Sequence, residues 1–397
     1  MHAGECPVLA PDVTISPLDS VGGDRYVVHC NGHRYQVGPL LKGLVEAIDG
    51  QRDYESLARL LQATTKSPVT PEDVQVMVQR WLVPRGLAAL PGTSFRELSA
   101  APSSLTWKRP LIASQAVRKL SRPLTWLFHP VLFGVLLLID LAVWLTLPAR
   151  GFTWDSWLTL VEIRMVPLWL VLKICSAFWH EVGHAAACVR VGGRPGAIGV
   201  GVFLDRLVLY TDLNNAWTLP RNQRVLVDLG GVYFELVLAC LVGVGVFASV
   251  PRMPMLFVMI HVFLLPNLHP FLKYDGYWLV SDALGVPNLH RRVMEVLSGL
   301  VGRRQANRYV DTLPGATRLA VQIYAGFCVL FVPLFLWFYM APSRMLWTYY
   351  HTHWANSRSI QEFLASIVPM AAFSVLWCWL SVRWLSQALK WVLRHMK

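Results

Sequence analysis

Long apolar segments constrain this chain most strongly, because they recur from Leu124 to the C-terminal region. Six of them approach the ~20 residues that a helix needs to cross the hydrocarbon core of a bilayer. With 54% hydrophobic and only 15% charged residues among 397, the composition excludes an ordinary soluble enzyme. We therefore expect a polytopic α-helical membrane protein. The predicted spans are Leu124 to Leu147, Val166 to Arg190, Val225 to Val250, Met255 to Leu272, Leu319 to Ala341 and Phe363 to Leu385.

The net charge of +12 has two interpretations, a nucleic-acid partner or a membrane topology signal. The basic residues lie in alternate loops between the apolar segments, which is typical of loops facing the anionic cytoplasmic leaflet. This pattern predicts that both termini lie in the cytoplasm, and it disfavours nucleic acid as a partner. The seven cysteines are scattered without a Cys-x-x-Cys pair, so neither a disulfide framework nor a thiolate zinc site is expected.

A metal-binding pattern, His180-Glu181-Val182-Gly183-His184, lies within the second apolar segment. On a helix, two histidines four residues apart project from one face and can hold one Zn²⁺ per chain. Glu181 beside them is then the candidate general base for a water that attacks a peptide carbonyl. Ionisable residues inside an apolar segment are costly and mark functional sites by default.

A catalytic zinc of this type takes three protein ligands, so one more is expected. The best candidate is Asp275, because Pro266, Pro270 and Gly276 break the fourth predicted span near its cytoplasmic end. The topology places Asp275 at the same membrane face as the histidine pair, although an Asp-Gly pair is also an ordinary turn signal. His269 and His261 are the rival ligands.

Together, His180-Glu-x-x-His184 and Asn267-x-x-Pro270-x-x-x-x-Asp275-Gly276 resemble the site-2 protease family of intramembrane zinc metalloproteases. The resemblance covers roughly residues 166 to 289. It implies that His180, His184 and Asp275 are ligands, that Glu181 is the base, and that Asn267 lies near the substrate. The chain departs from the family where Glu235 ends a Gly-Gly-Val-Tyr-Phe-Glu run. Glu235 is either a buried functional acid or the source of a helix-packing hydrogen bond.

Between the second and third spans, residues 196 to 211 are rich in glycine and β-branched residues and too short for two spans. They predict a β-hairpin near the metal-binding pattern. An exposed strand edge there could hold a substrate in extended form, or the hairpin could be a structural plug.

The first 90 residues predict a small soluble α+β domain. Residues 25 to 30 and 33 to 37 alternate in polarity around Asn31-Gly32, which predicts a hairpin. Helical patterns follow over residues 40 to 48, 54 to 64 and 71 to 83, the last capped by Thr70. Residues 91 to 122 are predicted as a linker, and residues 123 to 397 as the membrane domain.

This order of elements resembles the winged-helix, PqqD-like domain that recognises leader peptides in ribosomal peptide natural-product pathways. A generic winged-helix interaction domain is the alternative, and the third helix carries too few basic residues for a DNA role. The resemblance implies that a leader adds as a strand and packs on the third helix. The candidate peptide-binding residues are Tyr35, Val37, Val74, Met77 and Trp81.

Together these features predict a multi-pass protease of the bacterial cytoplasmic membrane that removes the leader from a precursor peptide. Its partners would be that peptide and the lipid bilayer, with co-encoded modifying enzymes or a transporter as further candidates. Alternatives are a site-2-type protease that acts on a membrane protein, a non-catalytic peptide-binding or immunity protein, and a di-iron oxygenase. The twelve histidines form no second cluster, which disfavours a di-iron oxygenase. Glu181 disfavours a non-catalytic binding protein, because such a protein needs no general base.

Overall fold

A computed structural model describes most of the chain. The described residues are 6–30, 33–65, 68–95, 105–150, 152, 166–203, 206–300, 309–339, 341–356 and 359–362. The chain divides into two compact units, residues 1–320 and 321–397. The N-terminal region and the candidate metal centre both belong to the first unit.

The N-terminal region is an α+β unit, as expected. Its strands are β1 (Val8–Leu9), β2 (Thr14–Leu18), β3 (Arg25–Cys30), β4 (His33–Val37) and β5 (Ala88–Ala89). The predicted hairpin is formed by β3 and β4, which pair antiparallel, although its turn at Asn31 and Gly32 lies outside the described residues. The sequence did not predict β2, which extends this sheet in the order β2-β3-β4. A second small sheet joins β1 to β5, so the two ends of the domain meet.

Three helices pack against this sheet: α1 (Pro39–Ala47), α2 (Tyr54–Thr65) and α3 (Pro71–Met77). Thr70 and Asp73 form a reciprocal capping box at the start of α3. The α-helix was predicted to reach Val83, but it changes at Val78 into a π-helical turn and then a 3₁₀ turn. Pro84 is the physical reason, because it cannot donate to the carbonyl four residues back and its ring crowds that carbonyl.

Burial of aliphatic side chains holds the domain together. Ten of them are at most 1% exposed: Val28, Leu44, Val45, Leu57, Leu61, Val74, Val78, Leu82, Leu87 and Ala88. Cys30 belongs to the same core, where its thiol donates to Asp12. Burial, followed by that hydrogen bond and the carboxylate charge, raises the pKa of Cys30 to about 12, so it remains a protonated packing residue.

The predicted second hairpin is also formed, by β7 (Ile198–Phe203) and β8 (Arg206–Thr211), preceded in the chain by β6 (Leu105–Ile112). The strand order is β6-β7-β8, and all pairs are antiparallel. Residues 105–112 were expected to be linker, because they belong to a stretch rich in serine and proline before the membrane domain. A proline is tolerated because β6 lies at the edge of the sheet. The opposite edge of this described sheet is β8.

Helices form the remainder of the described chain. They are α4 (Ser114–Ser121), α5 (Pro130–Thr146), α6 (Val166–Arg190), α7 (Arg221–Phe247), α8 (Met253–Leu264), α9 (Asp275–Leu284), α10 (Leu289–Leu300), α11 (Gly315–Tyr339) and α12 (Ala341–Asn356). The long helix α7 is central, because α5, α6, α8 and α9 all pack against it. Its side chains Phe234 and Ala239 are fully buried in two apolar clusters.

The predicted six spans are only partly matched by the helices. Within the described ranges, α7 is long and apolar enough to cross a bilayer. The segment from Ser114 to Phe128 and α5 would add one span if taken together, but they bend by 78°. The break falls at His129-Pro130, and the fourth predicted span ends early at Leu264, ahead of Pro266. The sixth predicted span, residues 363 to 385, lies outside the described chain.

The N-terminal domain is docked on the helices of the first unit through a buried arginine. Arg224, only 4% exposed, pairs with Asp282 of α9 at 2.9 Å between Nε and Oδ1. It also donates through Nη2 to the carbonyl of Asp19 at 2.9 Å. The Val21 N–H donates to the Gly285 carbonyl at 2.8 Å. Arg224 therefore connects the N-terminal domain, α7 and α9 at one point.

A second contact lies at the start of β4. Arg34 donates through Nη1 to the Asn214 carbonyl at 3.1 Å, and its guanidinium lies 5.8 Å from the ring centre of Trp217. Asn214 and Trp217 follow β8 in the chain, and both lie within one 3₁₀ turn. The N-terminal domain thus contacts the segment next to the hairpin as well as the α7–α9 junction.

Arg224→Ala should destabilise the folded chain by about 2–4 kcal/mol, because it removes the partner of the Asp282 carboxylate, which is only 14% exposed. Chemical unfolding of the purified full chain in detergent measures this. Arg190→Ala is the matched control, since Arg190 is an exposed arginine at the end of α6, and it should change stability by less than about 0.5 kcal/mol. Equal stability of both variants would show that the docked arrangement does not depend on Arg224.

Candidate metal centre

The two histidines of the metal-binding pattern lie on one face of α6. His180 and His184 are each 6% exposed, and their Nε2 atoms are 3.0 Å apart. The four-residue spacing stacks them one helical turn apart, as predicted. Both Nε2 atoms thus face the same point.

The structure brings Asp275 to this point. Its Oδ2 atom lies 2.8 Å from His180 Nε2 and 3.5 Å from His184 Nε2. Asp275 is the first residue of α9, and the chain before it turns so that the Gly276 N–H donates to the Asn267 carbonyl at 2.8 Å. A side chain at Gly276 would collide with the Leu268 carbonyl, so this close turn requires glycine.

These three donors suit a catalytic zinc ion. Two imidazole nitrogens and one carboxylate oxygen form a donor set typical of zinc hydrolases, which leave a further position for water. Donors bound to one tetrahedral zinc at about 2.0–2.1 Å lie about 3.3–3.4 Å from each other. The observed separations of 2.8, 3.0 and 3.5 Å are close to that value. His180, His184 and Asp275 therefore form a group that could hold a metal ion.

The remaining ring nitrogen of each histidine has its own partner. His184 Nδ1 lies 2.7 Å from the Val227 carbonyl, and His180 Nδ1 lies 3.2 Å from the Glu235 Oε2 atom. Both partners accept hydrogen bonds, which favours a proton on each Nδ1 and a lone pair on each Nε2. The Asn267 Nδ2 atom, 3.4 Å from His180 Nδ1, donates to Glu235 Oε2 at the shorter distance of 3.2 Å. Histidine ligands in metal sites are oriented by such outer partners.

Close packing between α6 and α7 makes this arrangement possible. Gly183 and Gly230 face each other so closely that a Cβ on either would collide with the carbonyl of the other. At the residue after Gly230 on α7, a Cβ on Gly231 would lie against the Nε2 atoms of His180 and His184. Gly231 thereby leaves the space in front of the donor atoms open.

Glu181 lies one residue from His180 and is partly exposed. Its backbone carbonyl accepts a hydrogen bond from the Thr211 hydroxyl at 2.9 Å. Thr211 is the last residue of β8, so the edge strand ends next to the histidine pair. The predicted proximity of the hairpin to the metal-binding pattern is therefore observed.

The two rival ligands lie elsewhere. His261 faces Asp140 of α5, with 3.1 Å between Nε2 and Oδ1. The ring of His269 accepts the backbone N–H groups of Phe271 and Leu272 through Nδ1 at 3.3 and 3.2 Å. Neither belongs to the three-residue group.

Asn267, expected near a substrate, lies within the polar network of the centre. Its Nδ2 atom donates to Glu235 Oε2 at 3.2 Å. The Ser176 hydroxyl donates to the other Glu235 oxygen at 2.9 Å. Sequence reasoning left the role of Glu235 open and did not single out Ser176. The only available signal for Ser176 was a polar residue four positions before His180, on the same helix face.

The five candidate peptide-binding residues of the N-terminal domain separate into two groups. Val37 and Val74 are 3% and 0% exposed, so their assignment as peptide contacts is corrected to core packing. Tyr35, Met77 and Trp81 keep accessible surface. The rings of Tyr35 and Trp81 meet edge to face at 5.9 Å, and the Arg85 guanidinium lies 4.5 Å from the Trp81 ring centre.

A comparison with curated proteins supports a metalloprotease-type function. The chain is 26% identical over 144 residues to the "Putative peptide zinc metalloprotease protein YydH" of Bacillus subtilis strain 168. The alignment covers 35% of this chain and 53% of that protein, so the chain spans about half the length of the relative it matches. No family profile matches the chain, and no solved structure does.

Gly231→Ala should remove bound zinc, because the added methyl group would occupy the space in front of both Nε2 donors. Metal analysis of the purified chain should fall from about one zinc to below about 0.1 per chain, the loss expected of a blocked donor set. Gly134→Ala on α5 is the matched control, since a Cβ there meets nothing within 4 Å. A full zinc content in Gly231→Ala would place the metal elsewhere.

Proposed function

We propose that this chain is an intramembrane zinc endopeptidase that removes the leader from a precursor peptide. The observation that carries the proposal is the meeting of His180, His184 and Asp275 beside Glu181. The similarity to a protein named as a zinc metalloprotease supports the same class of reaction.

Each residue of the centre has a distinct chemical role in this proposal. The two imidazoles and the Asp275 carboxylate hold one zinc ion, which when bound polarises the scissile carbonyl and lowers the pKa of a water. The Glu181 carboxylate takes a proton from the attacking water and returns it to the nitrogen of the leaving amine. One peptide bond is broken, and the elements of water are divided between the two products.

The edge of β8 supplies a way to present the peptide. A substrate that pairs with β8 as an added strand would be held extended by backbone hydrogen bonds. The hydrogen bond from Thr211 to the Glu181 carbonyl connects the end of that strand to α6. A bound strand would therefore deliver its backbone next to the general base.

A membrane location fits the surface of α5. Leu138, Leu141 and Leu145 on this helix are 67%, 54% and 72% exposed. Such a contiguous apolar face is unfavourable in water and is typical of contact with lipid. We place the protein in the bacterial cytoplasmic membrane, with several spans and with both termini in the cytoplasm.

The N-terminal domain is the proposed leader-binding module. Strand β4 lies at the edge of its described sheet, and Tyr35 on β4 packs against Trp81, so a leader strand could pair with β4 while its side chains contact this aromatic pair. Arg34, at the start of the same strand, contacts Asn214 three residues beyond the end of β8. This contact favours a role for the domain in delivering a peptide to the hairpin.

Glu181→Gln should retain about one zinc per chain but abolish cleavage, because the carboxamide keeps the shape and loses the base. Asp275→Ala is the matched variant, and it should lose zinc as strongly as His184→Ala does. Metal analysis, and mass spectrometry of a candidate precursor peptide incubated with each variant, measure both effects. Turnover by Glu181→Gln would exclude Glu181 as the base, and full zinc content in Asp275→Ala would exclude Asp275 as a ligand.

Trp81→Ala should raise the precursor concentration needed for half-maximal cleavage by about tenfold or more, as expected for loss of an aromatic anchor. The maximal rate should stay near that of the wild type, because the metal centre is untouched. Trp126→Ala is the control, since Trp126 is 64% exposed and lies outside the domain. Unchanged half-maximal concentration in Trp81→Ala would favour a site-2-type protease whose N-terminal domain binds another partner.

A further inference from the structure

Glu235 is the most deeply buried acid that the proposed reaction does not use. It is 1% exposed and lies in the middle of α7, surrounded by apolar helices. An ionised carboxylate in such surroundings costs several kcal/mol unless it is fully paired. Its partners therefore decide its role.

Three donors surround this carboxylate. Oε1 accepts from the Ser176 hydroxyl at 2.9 Å, and Oε2 lies 3.2 Å from both Asn267 Nδ2 and His180 Nδ1. An ionised carboxylate accepts hydrogen bonds at both oxygens, whereas a protonated one would present a donor to one of these groups. The environment is thus built for an acceptor.

From this network we propose that Glu235 is a positioning residue of the metal centre, and this inference depends on the proposed zinc site. By accepting the hydrogen bond donated by His180 Nδ1–H, the carboxylate favours the tautomer that leaves Nε2 free to bind the metal. It also sets the ring plane, since Nδ1 is restrained at the same time as Nε2 faces Asp275.

Glu235 also acts on the third ligand through Asn267. The amide of Asn267 donates to Glu235, and its backbone carbonyl accepts the N–H of Gly276, the residue after Asp275. One carboxylate is therefore connected to both the His180 ring and the turn that carries Asp275. His184 differs, because its Nδ1 is held by a neutral backbone carbonyl at Val227.

The negative charge should matter as well as the hydrogen bond. A carboxylate on Nδ1–H makes the imidazole a stronger electron donor, and loss of such an outer partner typically lowers metal affinity by about 10- to 100-fold. Glu235→Gln keeps the size and can still accept from His180 through its amide oxygen. It removes only the charge and one acceptor, so it tests the role directly.

The test is a zinc titration of the full-length protein in detergent, with zinc alone as the probe and a competing chelator. Glu235→Gln should bind zinc about 10- to 100-fold more weakly than wild type. Ser176→Ala is the matched control, since it removes a bond to the far oxygen Oε1 and leaves His180 paired. It should weaken zinc by less than about threefold, the size of one neutral hydrogen bond at a distance from the metal.

Thermal unfolding of the metal-free protein separates positioning from packing. Removing a buried charge also removes its desolvation cost, so metal-free Glu235→Gln should be as stable as wild type or more stable. A helix-packing role predicts the reverse, with lower metal-free stability and unchanged zinc affinity, and that result would overturn the proposal. The absorption spectrum of the cobalt-substituted protein should shift in Glu235→Gln and stay unchanged in Ser176→Ala.

Two further outcomes keep this inference distinct from the proposed function. If wild type binds zinc and Glu235→Gln binds it equally well, the positioning role is wrong while the protease proposal stands. If wild type fails to bind zinc at micromolar concentration, both are wrong. Should Glu235→Gln fail to fold, Glu235→Asp keeps the charge but shortens the reach to His180, and it should still weaken zinc severalfold; wild-type affinity in that variant would reject the role.

Discussion

The crossing of α6 and α7 at Gly183 and Gly230 is the contact on which the rest of the centre depends. With no side chains between them, the two backbones approach to the limit set by their carbonyl groups. This approach brings the Val227 carbonyl and the Glu235 carboxylate to the histidines of α6. A wider separation would leave both Nδ1 atoms without acceptors. The positions of the metal-binding donor atoms are therefore set by the packing of α6 on α7, independently of any bound metal.

Electrostatic pairing extends this arrangement away from the metal. Arg224 lies on α7 one helical turn before Asp228, and it pairs with Asp282 on α9, the helix that begins at Asp275. A guanidinium has five N–H donors, and that of Arg224 donates two further hydrogen bonds, to the carbonyls of Leu219 and Asp19. Two helices that carry ligands or their partners are thus held in position together with the N-terminal domain.

Much of the site could be predicted because its candidate metal ligands lie in two short sequence motifs. The helical repeat places His180 and His184 on one face, and the proline-broken turn before Asp275 marks a second segment with a carboxylate. The hairpin at residues 25–37 followed from alternation around Asn31-Gly32, and the hairpin at residues 198–211 followed from its glycine and β-branched content and its short length. These inferences succeed because each depends on residues close together in the sequence.

The features that escaped prediction depend on contacts between distant segments. Strand β6 was expected to be linker, and its strand conformation depends on pairing with β7, which lies far along the chain. The network of Glu235 joins three helices or turns, and burial of Val37 and Val74 is visible only once the sheet and α3 pack together. The break of the fourth span at Pro266 was expected, whereas the 78° bend at His129-Pro130 was not, because a proline at the start of a helix is compatible with either a straight span or a bend. The number of six spans stays a prediction.

Docking of the N-terminal domain changes how a tethered leader would act. A flexible linker raises local concentration to roughly the millimolar range, with a value that depends on linker length. Here Arg224 and Arg34 attach the domain at defined points, and these contacts fix the distance between β4 and β8. Under the proposed function, the peptide segment between a bound leader and the scissile bond would itself have to bridge that fixed distance. In a docked arrangement, the position of cleavage would then depend on the number of residues in the peptide as well as on their chemistry.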